Sequence, residues 1–122
     1  MDRAAHCVLV VEDSLLVAME MEEELLAAGY RVDVAGSLAA ADEAIQGRNY
    51  AAALLDFQLP DGLALDLALR LDGLGCVVAL VTGALPEHLP PGCERFAFFD
   101  KPVPPQVLVD WVTQVVERRG AE

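Results

Sequence analysis

Five strand-like segments, four of them mainly apolar and one alternating between apolar and polar residues, alternate with segments of helical period along this chain, and this order restricts the fold more than any other feature. The segments cover residues 6–11, 30–35, 50–56, 76–82 and 95–99, and the alternating one is residues 30–35. Strands that alternate with helices favour an open parallel sheet of the α/β class with right-handed crossovers. Because 122 residues make one ordinary domain, we expect a single domain over residues 1–122, with its core at about 6–119.

The first predicted helix covers residues 15–29 and follows Ser14, whose hydroxyl can cap it. It stops at Gly29, and the acidic cluster from Glu20 to Glu24 is predicted to face mostly outward. The apolar face of this helix is predicted to carry Leu15, Met19 and Leu26.

Three further helices are predicted from capping residues and period. Ser37 can cap the second, which ends near Gly47, and residues 63–71 form the third. The last helix, residues 104–119, spreads its apolar side chains over roughly 200° of the helical wheel, wider than one packed face needs. Part of this apolar surface is therefore a candidate contact with a partner or with a second copy of the chain. The alternative is that the helix simply exposes a few valines to solvent. The side chains are Val107, Leu108, Val109, Trp111, Val112, Val115 and Val116.

Composition excludes several classes of function. A formal net charge of -12 argues against direct nucleic acid binding, which needs clustered Lys and Arg to neutralise phosphates. No apolar stretch is long enough to span a bilayer and the amino terminus lacks a secretory signal, so we expect a cytoplasmic protein without membrane contact. Without a Cys-x-x-Cys pair, Cys7, Cys76 and Cys93 are expected to be buried, reduced thiols.

Chemically active side chains stand at the ends of four predicted strands. Glu12 and Asp13 follow the first strand, Asp56 ends the third, Thr82 ends the fourth and Lys101 follows the fifth. Open α/β sheets bind ligands at the carboxyl ends of their strands, where these side chains would meet. Clustered carboxylates suit Mg²⁺, and a lysine and a hydroxyl would complete a cradle for a phosphoryl group. A carboxylate such as Asp56 can attack phosphorus to give an aspartyl phosphate.

The segments VLVVEDS, ALLDFQLPDG, ALVTG and FFDKP resemble, in this order, the response-regulator receiver domains of two-component signalling. The resemblance runs from about residue 7 to about residue 117 and implies a flavodoxin-like (βα)5 fold with a parallel sheet in the order 2-1-3-4-5. It also implies that Asp56 accepts a phosphoryl group from a phosphohistidine on a histidine kinase or histidine phosphotransfer protein. Phosphorylation would then switch binding to a downstream protein, whose identity the sequence does not reveal.

The resemblance assigns a ligand set to the metal. Asp13 and Asp56 would bind Mg²⁺ directly, with Mn²⁺ as a substitute, and Glu12 would act largely through water. The backbone carbonyl of Gln58 would be a further ligand.

Other roles implied by the resemblance concern the phosphoryl group and the switch. Lys101 would pair with the phosphoryl oxygens, and Thr82 would hydrogen-bond to one of them after modification. Phe98 stands where the family has its switch aromatic, although Phe96 or Phe99 could be the ring that moves. The peptide bond before Pro102 resembles the family's cis peptide.

The interval between the fourth and fifth strands departs from the usual receiver pattern. It contains Pro86, Pro90 and Pro91, and proline inside a helix costs about 3 kcal/mol or more. We therefore expect the fourth helix to be short or absent, replaced by a mobile loop with at most one helical turn near residues 86–89 that orders on phosphorylation. Thr82-Gly83 partly resembles the Phe-Ala-Thr-Gly subgroup of single-domain receivers, with Leu-Val in place of Phe-Ala.

The chain is expected to be a stand-alone receiver without an output domain. Its output would be phosphorelay, competition for a kinase or phosphorylation-dependent binding to another protein. It is expected to be a monomer or a homodimer through the last helix. The alternative is a phosphorylation-independent interaction module with the same fold. A Mg²⁺-dependent phosphatase of the haloacid-dehalogenase type is a further rival, but Gln58 replaces its general-acid aspartate, so we expect no enzyme. The resemblance also implies that Gln58 and Ala84 occupy the positions that tune the lifetime of the phosphoryl group in the family. Since neither residue is a carboxylate that could position water, the phosphoryl lifetime is predicted to be not especially short.

Overall fold

The protein is a five-stranded sheet between two layers of helices in the computed structural model, which describes residues 3–83 and 86–120. The strands are β1 Cys7–Val11, β2 Arg31–Ala35, β3 Ala52–Asp56, β4 Gln58–Leu59, β5 Gly62–Leu63, β6 Val77–Thr82 and β7 Ala97–Asp100. The helices are α1 Leu15–Ala27, α2 Leu38–Gly47, α3 Leu65–Gly73 and α4 Pro105–Gly120. Every predicted strand and helix is present, with boundaries within two residues of those expected.

The main sheet has the strand order β2-β1-β3-β6-β7, and all of its pairs are parallel. Numbered along the chain within this sheet, the order is 2-1-3-4-5, so the predicted flavodoxin-like fold is confirmed. The small antiparallel hairpin of β4 and β5 was not predicted, because each of its strands has only two residues.

Alternating side chains of β1, which lies between β2 and β3, divide the core into two clusters. Val8 and Val10 pack with α1 and α4, while Leu9 and Val11 pack with α2 and α3 on the other face. A parallel strand that is buried on both faces needs an unbroken apolar sequence, which is what residues 7–11 provide. The helical layers therefore leave the carboxyl edge of the sheet as the place where polar side chains meet.

The predicted packing face of α1 is wrong. Leu15 is 72% exposed, and Met19 and Leu26 are also largely exposed, whereas Ala18, Met21 and Leu25 are buried against the sheet. The two apolar faces lie about 100° apart on the helical wheel, so period alone does not decide between them. The predicted caps are confirmed, since Ser14 accepts from Val17 N and Ser37 from Ala40 N.

Most of the broad apolar face of α4 packs inside this chain. Five of its seven predicted side chains are buried, and Trp111 is half-buried with its ring edge-on to Phe99 at a centroid distance of 6.1 Å. Only Val107 of the seven is largely exposed. Little of this apolar surface is therefore left exposed for a homodimer through the last helix.

No α-helix lies between β6 and β7 in the part of this interval that the structure describes. Two 3₁₀ turns, Pro86–His88 and Cys93–Arg95, stand there instead, which confirms that the fourth helix is short or absent. Residues 84 and 85, and with them the predicted tuning position Ala84, lie outside the described residues. The ordering of this loop on phosphorylation stays a prediction.

Candidate functional site

Three carboxylates meet at the carboxyl edge because β1 and β3 are neighbours in register. Val11 pairs with Leu55, so the next residue along each chain segment, Glu12 after β1 and Asp56 at the end of β3, emerges at the same edge. Oxygen atoms of Glu12, Asp13 and Asp56 all lie within 4.8 Å of one another. Glu12 is 3% exposed and Asp56 9%, while Asp13 is exposed to solvent. The sequence prediction that these residues converge is confirmed.

Lys101 reaches the same cluster from the edge strand. Its backbone N–H donates to the carbonyl of Thr82 at 3.0 Å, and the Lys101–Pro102 peptide bond is cis, as predicted. The Nζ donates to Glu12 Oε1 at 2.7 Å and to Asp56 Oδ2 at 3.2 Å. One ammonium therefore bridges two of the three carboxylates.

The buried charges perturb one another. Burial raises the pKa of Glu12, although Lys101 and the Ser14 N–H, at 3.0 Å, both stabilise its ionised form. Burial acts to lower the pKa of Lys101, but its hydrogen bonds to Glu12 and Asp56 outweigh this and raise it. The cluster thus keeps an excess of negative charge that a further cation would relieve.

The donor set fits Mg²⁺. Hard divalent cations take oxygen ligands, and Mg²⁺ commonly uses one or two carboxylates together with water and phosphate oxygens. Asp13 and Asp56 would bind the ion directly, and Glu12 would act largely through water. The chain turns just after Asp56, where Gln58 N donates to Asp56 Oδ1 at 3.3 Å, which keeps the backbone of Gln58 beside the carboxylate.

Thr82 ends β6 on the other side of Asp56. It is buried, and it pairs in register with Asp100, directly before Lys101. Asp56, Thr82 and Lys101 line one cavity of about 600 Å³ at the carboxyl edge of the sheet. The hydroxyl, the ammonium and the carboxylate expected from the sequence are therefore brought together.

Irregular segments build the rest of this cavity, and the sequence did not predict their contribution. The β4–β5 hairpin supplies Leu63, and the segment after β6 supplies the wall formed by His88, Leu89 and Pro90. The prolines between β6 and β7 predicted an irregular segment, but they did not predict that this segment would line the cavity.

The hairpin is tied to α2 by Asp61. Both of its carboxylate oxygens accept backbone hydrogen bonds at the start of that helix, from Leu38 N at 2.9 Å and Ala39 N at 3.0 Å. These hydrogen bonds lower the pKa of Asp61. The Leu-Pro-Asp-Gly turn therefore fixes the wall of the cavity to the helical layer.

Phe98 is half-buried and lies outside the main cavity. It lines a smaller cavity of about 260 Å³ with residues that include Phe96 and Cys93. Phe96 is buried in the core, and Phe99 packs on Trp111 on the opposite face. The switch role of Phe98 stays a prediction.

Other predicted features lie away from the site. All three cysteines are buried thiols. His6 borders a separate cavity at the amino edge of the sheet, together with Cys7 and Tyr50. Among the described residues, no helix has the length and apolar character needed to cross a membrane.

Comparison with known proteins identifies the fold. The sequence matches no protein-family model and no curated protein. Solved structures do match it. A CheY-like response regulator receiver domain from Methylobacillus flagellatus is 28% identical with a TM-score of 0.77, over 90% of this chain and 98% of that one.

Two further structures are similar at lower identity. A two-component response regulator from Clostridium difficile has a TM-score of 0.85 at 17% identity, over 93% of this chain and 98% of that one. The response regulator protein TrrA from Thermotoga maritima, in complex with Mg²⁺ and BeF, has a TM-score of 0.76 at 23% identity, over 90% and 98%. These two likenesses concern the fold alone.

Proposed function

We propose that this chain, which is similar to response-regulator receiver domains and has their fold, is a phosphoacceptor receiver of a two-component or phosphorelay system. Its phosphodonor is a histidine kinase or a histidine phosphotransfer protein, and its output is phosphorylation-dependent binding to a downstream protein. It is a single cytoplasmic domain, a signalling module that assists only its own phosphorylation and dephosphorylation.

One observation carries the proposal. The ammonium of Lys101 bridges Glu12 and Asp56, within a group of three carboxylates whose oxygens lie within 4.8 Å of one another. Burying this much charge has a large desolvation cost, and structural gain alone is a weak reason for such a cluster. A site for a metal and a phosphoryl group gives each of these charges a partner.

Asp56 is the phosphoacceptor in this proposal. One Asp56 carboxylate oxygen attacks phosphorus, the new P–O bond forms, and the P–N bond to the donor imidazole breaks with its electron pair returning to nitrogen. Lys101 neutralises charge on the transferring oxygens, and the Thr82 hydroxyl donates to one of them once they are in place. Bound Mg²⁺ would supply electrostatic stabilisation of the same oxygens, held by Asp13 and Asp56 with the carbonyl of Gln58.

The two rival functions predict different chemistry. A phosphatase of the haloacid-dehalogenase type needs an acid two residues after the nucleophile, and that residue is Gln58, whose side-chain amide does not serve as a proton donor. A phosphorylation-independent interaction module would keep the fold but take up no phosphoryl group.

The test is the intact mass of the chain after incubation with Mg²⁺ and acetyl phosphate. We expect one added phosphoryl group that requires Mg²⁺ and is absent from Asp56→Asn. Asp66→Asn is the matched control, since it removes one carboxylate from the first turn of α3 and leaves the cluster intact. A folded chain that gains no mass would favour the interaction module.

A further inference from the structure

The cavity at the carboxyl edge has a buried floor and an exposed rim. Asp56 and Thr82 are buried, whereas Gln58, Leu63 and His88 are exposed. A phosphoryl group on Asp56 would therefore point from the floor toward the rim. In-line displacement of that group requires a nucleophile opposite the Asp56 oxygen, so attacking water must come from the rim side.

His88 is held at this rim by its neighbours. It ends the 3₁₀ turn Pro86–His88, and the next residue, Leu89, is half-buried and packs against the core cluster beneath α2 and α3. Leu89 and Pro90 also line the cavity. The turn that replaces the fourth helix is thus anchored on its carboxyl side, and it holds the exposed His88 among the residues that line the cavity.

We infer that His88 is the general base that hydrolyses the aspartyl phosphate, an inference that rests on the phosphoacceptor function proposed above. Water attacks phosphorus and passes its proton to the imidazole of His88. The bond between phosphorus and the Asp56 oxygen breaks, and its electron pair returns to the carboxylate. Inorganic phosphate leaves through the rim, and His88 loses its proton to solvent.

The other side chains around the cavity are unsuited to this step. Among the cavity-lining residues that the structure describes, the titratable ones are Asp56, His88 and Lys101. Asp56 carries the phosphoryl group, and a lysine ammonium has only donors and no lone pair. The amide of Gln58 is no base. On its own turn, His88 has the exposed Glu87 as its neighbour, which does not line the cavity.

The test is the half-life of the phosphoryl group after removal of the donor, followed by intact mass with Mg²⁺ present. We expect His88→Ala and His88→Gln each to lengthen it by about tenfold, below the range of 10²–10⁴ typical of general bases because the site is open. Added imidazole should shorten the half-life of His88→Ala more than that of the unsubstituted chain. The control is His6→Ala, at the opposite edge of the sheet, which should leave the half-life unchanged.

The outcomes separate this inference from the function on which it rests. If the unsubstituted chain takes up no phosphoryl group, the proposed function fails and the inference fails with it. If phosphorylation occurs but the half-life is the same with and without His88, the inference alone is overturned. A normal half-life in His88→Gln with a long one in His88→Ala would also overturn it, because hydrogen bonding rather than proton transfer would then suffice.

Discussion

Replacing Lys101 by methionine should destabilise the protein strongly at neutral pH in the absence of Mg²⁺. Its Nζ lies 2.7 Å from Glu12 Oε1 and 3.2 Å from Asp56 Oδ2. At an effective dielectric constant of about 20, Coulomb's law gives roughly 6 and 5 kcal/mol for these two pairs. Desolvation offsets most of this attraction, so the loss measured on removing the ammonium must be considerably smaller than the sum.

Removing one partner of a buried ion pair typically costs about 3–5 kcal/mol, because the other charge is left uncompensated. The side chain of Lys101 is 30% exposed, and solvent screening reduces the effect. We therefore expect a loss of about 2–3 kcal/mol in the free energy of unfolding at pH 7. Urea denaturation without Mg²⁺ measures it, as a lower midpoint with an unchanged slope.

The sign of the pH dependence provides a second check. Burial raises the pKa of Glu12 above its ordinary value of 4.5, and loss of Lys101 raises it further. A carboxyl whose pKa is raised by folding binds its proton more tightly in the native state. The loss of folding stability that its ionisation causes therefore grows as pH rises and disappears at low pH. The Lys101→Met deficit should shrink as pH falls from 7 toward 4.5, and Mg²⁺ at pH 7 should also reduce it.

Arg70→Met is the matched control, because it removes the same formal charge from a pair with Asp42 whose side chains are 52% and 41% exposed. Such a surface pair contributes less than about 1 kcal/mol. Equal deficits in the two variants, or a Lys101→Met deficit that is the same at pH 5 as at pH 7, would refute the reasoning.

Two further substitutions test the scaffold. Leu71→Ala, which empties a fully buried position on α3, should lower the free energy of unfolding by about 2–5 kcal/mol, measured by urea denaturation. Asp61→Ala removes the carboxylate that accepts from Leu38 N and Ala39 N, so it should lower the urea midpoint at pH 7. Because these bonds lower the pKa of Asp61, its contribution is present above 3.8 and lost as pH falls through the lowered value. The urea midpoints of Asp61→Ala and of the unsubstituted chain should therefore converge in acid. A difference between them that stays constant as pH falls would contradict this.

The sheet was predictable because its sequence signals are strong and local. Residues 7–11 and 77–81 are unbroken apolar runs of strand length, and Ser14 and Ser37 mark helix starts at which their hydroxyls accept backbone hydrogen bonds. The strand order came from the family resemblance rather than from these runs. Period alone would have left it open.

The packing face of α1 was not predictable in the same way. This helix is apolar on two sides, and the buried side holds the small Ala18, which lets the helix approach the sheet. The exposed leucines look equally suited to a core when only the sequence is read. Tertiary packing, not period, selects between them.

The site divides into a part that the sequence predicts and a part that it does not. Glu12, Asp56 and Thr82 lie at or directly after the ends of paired strands, and register alone brings such positions together. His88 belongs to a 3₁₀ turn that no neighbouring strand or α-helix orients. The position of His88 at the rim therefore depends on how Leu89 packs against the core. Paired strands therefore fix the residues that we propose to bind the phosphoryl group, while an irregular segment supplies the residue that we infer to take part in its removal. Substitutions between β6 and β7 should alter the lifetime of the phosphorylated state without altering the ability to reach it.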